Sequence, residues 1–557
     1  MSTPLLAPRC DIRISGVTLA ADLADQVLSL TVQTDLDLAG SFSFVLYNRD
    51  NSLLDSALLD MGKTVEIHLG YGNDLIPALL GEIAAIEPSF PKDGPPTIAV
   101  SGYDKSYKMR HAQSAPAGYS WTNDSIIAAE IAVANGLVPV VDPTSSIEKQ
   151  VVKTASDMAF LKSRAKRHFF DVYVEWDRLH FQFPRPQLAA HVLEWGTNLS
   201  SFSPRISAAG MAGVQVIRGY NQELAQSILS TALAADFDVD NLVEKLGSAA
   251  LDLLGSLARQ GIFRQPVTSP LDAVQLARSL LADLLEGMYE GQGSCVGIPD
   301  LTAGRYLTIR GVGRRFSGTY RVRNVTHQLS EAGFTTEFSI TQRGHSSLMG
   351  LLRRQLNEEP APDQPEPFYG VTLGVVVDND EGKAGPPPEV PIGRVKLNLP
   401  AYSDTLISPW APCVAPFAGP DTGFYALPDK GDQVLVAFEQ GDLSRPYVLG
   451  SLWTTQSRPP ASNLDGSNSR RVIKSRSGHA ITFDDTSDGG DLTIADKSGS
   501  TITLNARDGS VTISAKGDLT ISAKGDLTIK ADGAVTIAAA GDGGTTISMT
   551  KDSVDVS

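Results

Sequence analysis

The chain has 557 residues, 42% hydrophobic and 20% charged, with a formal net charge of −16. That length accommodates about three or four domains, and the acidic balance argues against a nucleic-acid grip, which needs basic faces. Three cysteines, Cys10, Cys295 and Cys413, are too sparse for a disulfide framework, the opening MSTPLLAPRCDIRI has no charged-then-apolar leader pattern, and no run of about 18 apolar residues predicts a membrane span.

Residues 1–120 read as β-rich: SLTVQTDLDLAGSFSFVLYN, VEIHLGYG and TIAVSGYD alternate between Gly, Asp and Asn boundaries. TNDSIIAAEIAVAN at 122–135 predicts a helix capped by Thr122 or Asn123, with Ile127 and Ile131 on one face and Gly136 as its stop. SDMAFLKSRAKRH at 156–168 predicts a second helix, on which Lys162, Arg164, Lys166 and Arg167 read as a solvated face. VYVEWDRLHFQF then reads as a hairpin.

Between 222 and 260 the texture changes. Leu224, Ile228 and Leu229, then Leu242 and Leu246, then Leu253, Leu254 and Leu257 suggest helices, and a short helix near 270–285 follows. Together these predict a helical insert near 220–290 between β segments. From 296 the chain is β again through Phe338. NEEPAPDQPEP at 357–367 is an acidic, Pro-rich linker. Over 368–456, GRVKLNLP puts Val395, Leu397 and Leu399 on one face, and QVLVAFE does the same with Val434, Val436 and Phe438. Several such short strands predict a small barrel.

The C-terminal hundred residues form one compositional unit, without proline after Pro460 or tryptophan after Trp453. Glycine recurs at Gly509, Gly517, Gly525, Gly533 and Gly541, every eighth position. The pairs Val511/Ile513, Leu519/Ile521, Leu527/Ile529 and Val535/Ile537 keep the same period, each flanking one threonine. Apolar–Thr–apolar is a strand pattern, and Lys-Gly-Asp is turn chemistry. A fixed repeat of strand plus turn marks a β-solenoid. One strand of roughly 17–20 Å per repeat cannot cover its own apolar face, so the other walls must come from other chains. Three copies, one wall each, would close a triangular prism with the eight apolar residues on the shared axis and Thr512, Thr520, Thr528 and Thr536 outside. A two-layer sandwich is the alternative. The looser pairs Ile481/Phe483, Leu492/Ile494 and Ile502/Leu504 extend the pattern upstream, and Ile547/Met549 extend it downstream. A Gly/Asp calcium solenoid needs a nine-residue repeat, which these octads are not.

GVVVDND, IGRVKLNLP, SPWAPCVAPFAGPDTGFYALPDKGDQVLVAFEQGD and RPYVLGSLW, spanning 370–455, closely resemble the OB-fold domain of contractile-tail spike proteins. These are the VgrG-type spikes of type VI secretion, extracellular injection particles and phage tails. SRSGHAITFDDT resembles the family's entry into a trimeric β-helix. LTAGRYLTIRGVGRRFSGTYRVRNVTHQLSEAGFTTEFSITQ, TIAVSGYDKSYKMRH and DMAFLKSRAKRHFFDVYVEWDRLHFQF resemble segments of the hub. The resemblance implies a mainly β chain with four parts. Residues 1–356 would be a hub of two β-barrel subdomains with a few helices and the insert, 357–367 a linker, 368–456 an OB-fold neck and 457–557 an intertwined trimeric β-helix needle. It implies a homotrimer that joins a sixfold inner tube to a threefold needle and pierces a target membrane. Its implied partners are inner-tube and baseplate hub proteins, a tip protein of the proline-alanine-alanine-arginine (PAAR) type, and effector cargo. Without a leader, the chain would be made in a bacterial cytoplasm and join an injection particle, released from the cell in the extracellular systems.

Catalysis finds no support in the residues. Only SRPPASNLDGSNSRRVI stands where some phage spikes insert a lysozyme. Asp484 and Asp485 are adjacent in a strand and point to opposite faces, unlike the paired carboxylates of a glycosidase. Eight scattered histidines form no H-E-x-x-H. MGKT at 61–64 resembles a phosphate loop, but Ala57 stands where glycine is required. GVGRRF at 311–316 lacks a third glycine and reads as strand. No catalytic residue, metal or cofactor is therefore expected. The competing reading is a β-helical adhesin or glycan hydrolase acting on surface polysaccharide. It would need a carboxylate groove or aromatic platforms, and no Trp or Tyr follows residue 453. The chain's plain end at KDSVDVS fits an extracellular particle slightly better than type VI secretion.

Overall fold

The computed structural model describes residues 7–340, 368–538, 546–549 and 554–556, apart from 20, 25, 112–116, 145–146, 154, 186–190, 207–213, 222–225, 234–259, 263–268, 287–288, 384–390 and 488–489. The chain divides into two compact units, Met1–Leu452 and Trp453–Ser557. The mainly β class holds in both.

Alternation builds the frame of the first unit. Ser41–Tyr47 alternates buried and half-buried residues along its length, with Phe42, Phe44 and Leu46 inward. It belongs to a 13-stranded sheet that also takes strands from 191–206 and 289–340. The seam is the antiparallel pairing of Gly318–Ser330 with Val27–Asp35. The sheet carries two separate cores, one around Phe44, Ile67 and Val100, the other around Leu307, Val322 and Ile340. GVGRRF is not strand: Gly311 and Gly313 take φ of 79° and 78° in the turn between Tyr306–Arg310 and Gly318–Ser330.

A helical lobe lies between these two strand sets in sequence. Asn123 caps Asp124–Ala134 by accepting from the Ile126 amide at 3.0 Å, and Gly136 follows in the left-handed region. Ser156 caps Asp157–His168, Asp157 fills its first turn, and Lys166, Arg167 and His168 fill its last. Asp171–Glu175 and Arg178–Gln182 form the expected hairpin.

The basic residues of that second helix are not a solvated face. Arg164 donates to Asp124 Oδ1 at 2.6 Å and to Glu148 Oε1 at 2.9 Å, with only 12% of its side chain exposed. His168 Nε2 lies 2.7 Å from the other Asp124 oxygen. Lys162 donates to the Asp37 carbonyl oxygen at 2.6 Å. Burial alone would raise the Asp124 pKa, but the Arg164 charge and the His168 hydrogen bond hold it below the usual carboxylate value. Tertiary partners absorb charges that local spacing assigned to water.

The insert is also only partly helical. Gln226–Leu233 is a strand, antiparallel to Val214–Asn221, with Ile228, Ser230 and Ala232 buried at alternate positions. Ile228 and Leu229 therefore face opposite sides of a sheet, not one side of a helix. The predicted helix near 270–285 is present as Pro270–Glu286 and covers this sheet through Ala273, Leu276, Ala277 and Leu281. Leu224, Leu242, Leu246, Leu253, Leu254 and Leu257 lie outside the described residues.

Residues 371–452 form an OB-like, partly closed barrel of five strands in the order Ala411–Pro412, Arg394–Asn398, Val371–Asp378, Gln433–Phe438, Pro446–Leu452. A bridge between Cys413 and Val448 draws its ends together. Val395, Leu397, Leu399, Val434, Val436 and Phe438 all point into its core. Buried Glu381 accepts the amides of Ile392, Gly393 and Arg394 at 3.0–3.1 Å and pairs with the Arg394 guanidinium. A buried carboxylate is tolerated only with such full pairing.

Candidate assembly surface

The C-terminal unit begins as a single-layer antiparallel meander: Arg470–Lys474, Ala480–Asp484, Asp491–Ala495, Thr501–Asn505 and Val511–Ser514. Its register is regular. Ile473, Ile481, Ile494, Ile502 and Ile513 stand opposite one another across all five strands. Phe483, Leu492, Leu504 and Val511 form a second row on the same face. Between the rows, on the other face, lie Val472, Thr482, Thr493, Thr503 and Thr512. Neighbouring strands lie about 4.7–4.9 Å apart, so each row is a continuous cross-strand ladder.

Among the described residues, Ile473, Phe483, Ile494, Ile502, Leu504, Val511 and Ile513 of these rows are 40% to 65% exposed. None of the five apolar cores among the described residues contains a residue beyond Val448. A two-layer sandwich would have buried these side chains within the chain.

The octads go further. Val511, Ile513, Leu519, Ile521, Leu527, Ile529 and Ile537 are 53% to 67% exposed, and Val535 is half-buried. Among the described residues, 515–534 form no strand. Val535–Ala538 pairs with Thr546–Met549, which in turn pairs with Val554–Val556. Leu519, Ile521, Leu527 and Ile529 are thus strand-forming residues without strand partners among the described residues. Of the repeat glycines, Gly509 takes the left-handed φ of 72° that its turn requires. Gly517, Gly525 and Gly533 do not, although a Cβ on any of them would meet nothing within 4 Å. Gly541 lies outside the described residues. The spacing did not single out Arg470–Lys474, which adds Ile473 to the ladder; its signal was the short alternation of RRVIK.

Chemistry is sparse here. Asp484 pairs with Arg470 at 3.2 Å and Asp485 pairs with Arg471, each within the meander. Asp484 ends the strand Ala480–Asp484 and Asp485 follows it. Among the described residues, no group of three or more His, Cys, Asp or Glu is placed to hold a metal ion. In the first unit, Asp35, Asp104, Tyr173, Glu175 and Thr302 line a cavity of about 20 Å³. That is room for about one water and no substrate. Burial opposes ionisation of Glu175, but the His180 hydrogen bond and the Arg305 charge hold its pKa down to about 2.

A family model of the Alg8 N-terminal domain matches residues 9–331, more than half of the chain. The chain belongs to that family. Residues 372–453 match the type VI secretion system/phage-baseplate injector OB domain. Among solved structures, the half-lidded Francisella PdpA–VgrG complex is similar with a TM-score of 0.56 at 10% identity, over 92% of this chain and 89% of that one. The lidded Francisella complex gives 0.54 at 9% identity, over 92% and 80%. An E. coli type VI secretion component described as similar to T4 tail proteins gives 0.49 at 13% identity, over 79% and 99%. The VgrG-type resemblance read from the sequence therefore holds, in the OB-domain match and in the fold shared with the Francisella complexes. Among its described residues, no helix is long and apolar enough to cross a membrane.

Proposed function

We propose that the protein is the non-enzymatic, membrane-puncturing spike of a contractile injection apparatus. In this reading it works as a homotrimer, with 1–356 as hub, 357–367 as linker, 368–456 as neck and 457–557 as needle. The hub would meet the sixfold inner tube and baseplate hub proteins, and three C-terminal units would close one threefold needle. The observation that carries the reading is the uncovered apolar face, from Ile473 through Ile537. Burying one such side chain is worth about 1.5–3 kcal/mol, and monomeric proteins rarely leave so long a patch in water. Three walls facing one axis would bury all of it and give the unpaired octads strand partners. The adhesin or hydrolase reading has no comparable support.

A small tip protein of the PAAR type would cover the far end, and effectors would ride with it. Val554–Val556 has only Thr546–Met549 as a strand neighbour among the described residues, and an open edge invites pairing. The protein would act within an assembled particle. Light scattering on the purified chain tests the trimer: the expected mass is three times 59.2 kDa, and a monomer would overturn the needle. A zymogram on peptidoglycan should stay blank, and clear lysis by pure protein would overturn the non-enzymatic reading.

A further inference from the structure

The OB barrel does not complete its core from its own strands. Val152, 8% exposed, packs with Val376, Leu397, Val434 and Val436. It comes from Glu148–Lys153, a strand of the helical lobe that precedes the barrel by more than two hundred residues. Val151 faces the other side of that strand and is buried with Ile127, Ile131, Met158 and Phe160 in the lobe's core. Adjacent residues of one strand therefore belong to two cores. Polar contacts run alongside: the Val152 amide donates to Ser444 Oγ at 3.0 Å, and Gln150 Nε2 donates to the Ile407 carbonyl oxygen at 3.4 Å. The strand is anchored in the lobe by its pairing with Ala117–Thr122. At one end Glu148 accepts from Arg164 at 2.9 Å, and at the other Lys153 pairs with Asp157.

We propose that Glu148–Lys153 is a coupling strand that locks the OB barrel to the helical lobe of the same chain. Force applied to the barrel then passes through packed side chains, which are dense and poorly compressible, and not through the covalent connection at 341–367 alone. That this force is the thrust of a contracting particle rests on the proposed spike function; the coupling itself does not.

The test places a site-specific protease sequence within 357–367 of the full-length protein, cleaves after folding, and captures the C-terminal fragment under native conditions. The N-terminal fragment should be retained in full by the wild type. It should fall at least tenfold in Val152→Asp and remain in Val133→Asp, which puts the same charge on an exposed position of the same lobe. Val152→Ala, uncleaved, guards against unfolding of the lobe. In hydrogen exchange it should lose protection in 394–398 and 433–438 while 124–134 and 157–168 stay protected. Separation of the cleaved wild type would overturn the proposal. So would equal retention in Val152→Asp and Val133→Asp, or protection in Val152→Ala that is unchanged in the barrel or lost in the helices.

Discussion

Ile521 and Thr520 are neighbours in one octad, and the trimeric needle assigns them opposite fates. Ile521→Asp would set three carboxylates together in a dry axis, where each uncompensated charge costs several kcal/mol, against a typical whole-domain stability of roughly 5–15 kcal/mol. Thr520→Asp keeps its charge in water, screened by salt. The first variant should lose trimer resistance to heat and detergent and the second should keep it; equal resistance in both would refute the inward assignment. Arg164 offers a test of another kind. Arg164→Met leaves Asp124 buried without its guanidinium hydrogen-bond partner, so unfolding should come easier by about 3–5 kcal/mol. The double variant Arg164→Met/Asp124→Leu should regain part of that loss in the same denaturation experiment. His327 gives a pH signature. Its ring bonds Thr336 Oγ1 at 2.9 Å and the Leu301 carbonyl oxygen at 3.0 Å, and burial pulls its pKa down to about 4. The unfolded chain, with an ordinary imidazole near 6.5, takes up the proton first. The stabilisation is therefore complete above pH ~6.5 and lost as pH falls toward ~4. The urea-unfolding gap between wild type and His327→Gln should shrink by about 3 kcal/mol over that range. Buried Asp104 is pushed up to about 6, mainly by desolvation, and acts in the opposite sense, so the gap between variants, not the raw wild-type slope, is the measurement. None of these partnerships was legible in the sequence. Arg164 and Asp124 are 40 positions apart, and no local pattern connects them.

At the scale of elements, the best-read segments were those with a strong period and a chemical boundary. Asp157–His168 has Ser156 before it and Phe169 in the left-handed region after it. Ser156→Ala should cost about 1 kcal/mol, because the Ala159 amide loses its acceptor; a melt that does not move would mean that water replaces the cap. Gln226–Leu233 is a strand where a helix was expected, because Ile228 and Leu229 are adjacent apolar residues, which suit a helix face as well as a strand. Its pairing with Val214–Asn221 and its cover by Pro270–Glu286 decided the matter. GVGRRF failed differently: its flanks are strand, and two glycines with positive φ turn the chain between them. In the meander, by contrast, apolar–Thr–apolar gave both the strands and their faces, and the register sorted isoleucines from threonines as the alternation required.

For the whole molecule, the apolar strip of the C-terminal unit makes assembly a stability question. If three chains close the needle, apolar burial holds them, and the trimer should survive about 1 M salt, where exposed charge pairs are screened. Dissociation by salt alone, read by light scattering, would mean that ion pairs between copies hold the assembly instead. The β class, the barrel faces, the octad period and the VgrG-type resemblance were all legible in the sequence, because alternation and turn chemistry are local and repeat without reference to the rest of the fold. The trimer proposal rests on the same kind of local reading, since the strand count per repeat is local too. Where the charges of Asp157–His168 go, the sheet within the insert and the place of Val152 in a barrel far along the chain came from tertiary packing. Those outcomes depend on which distant surfaces meet, and a buried side chain's partner is chosen by three-dimensional packing, which no spacing along the sequence encodes.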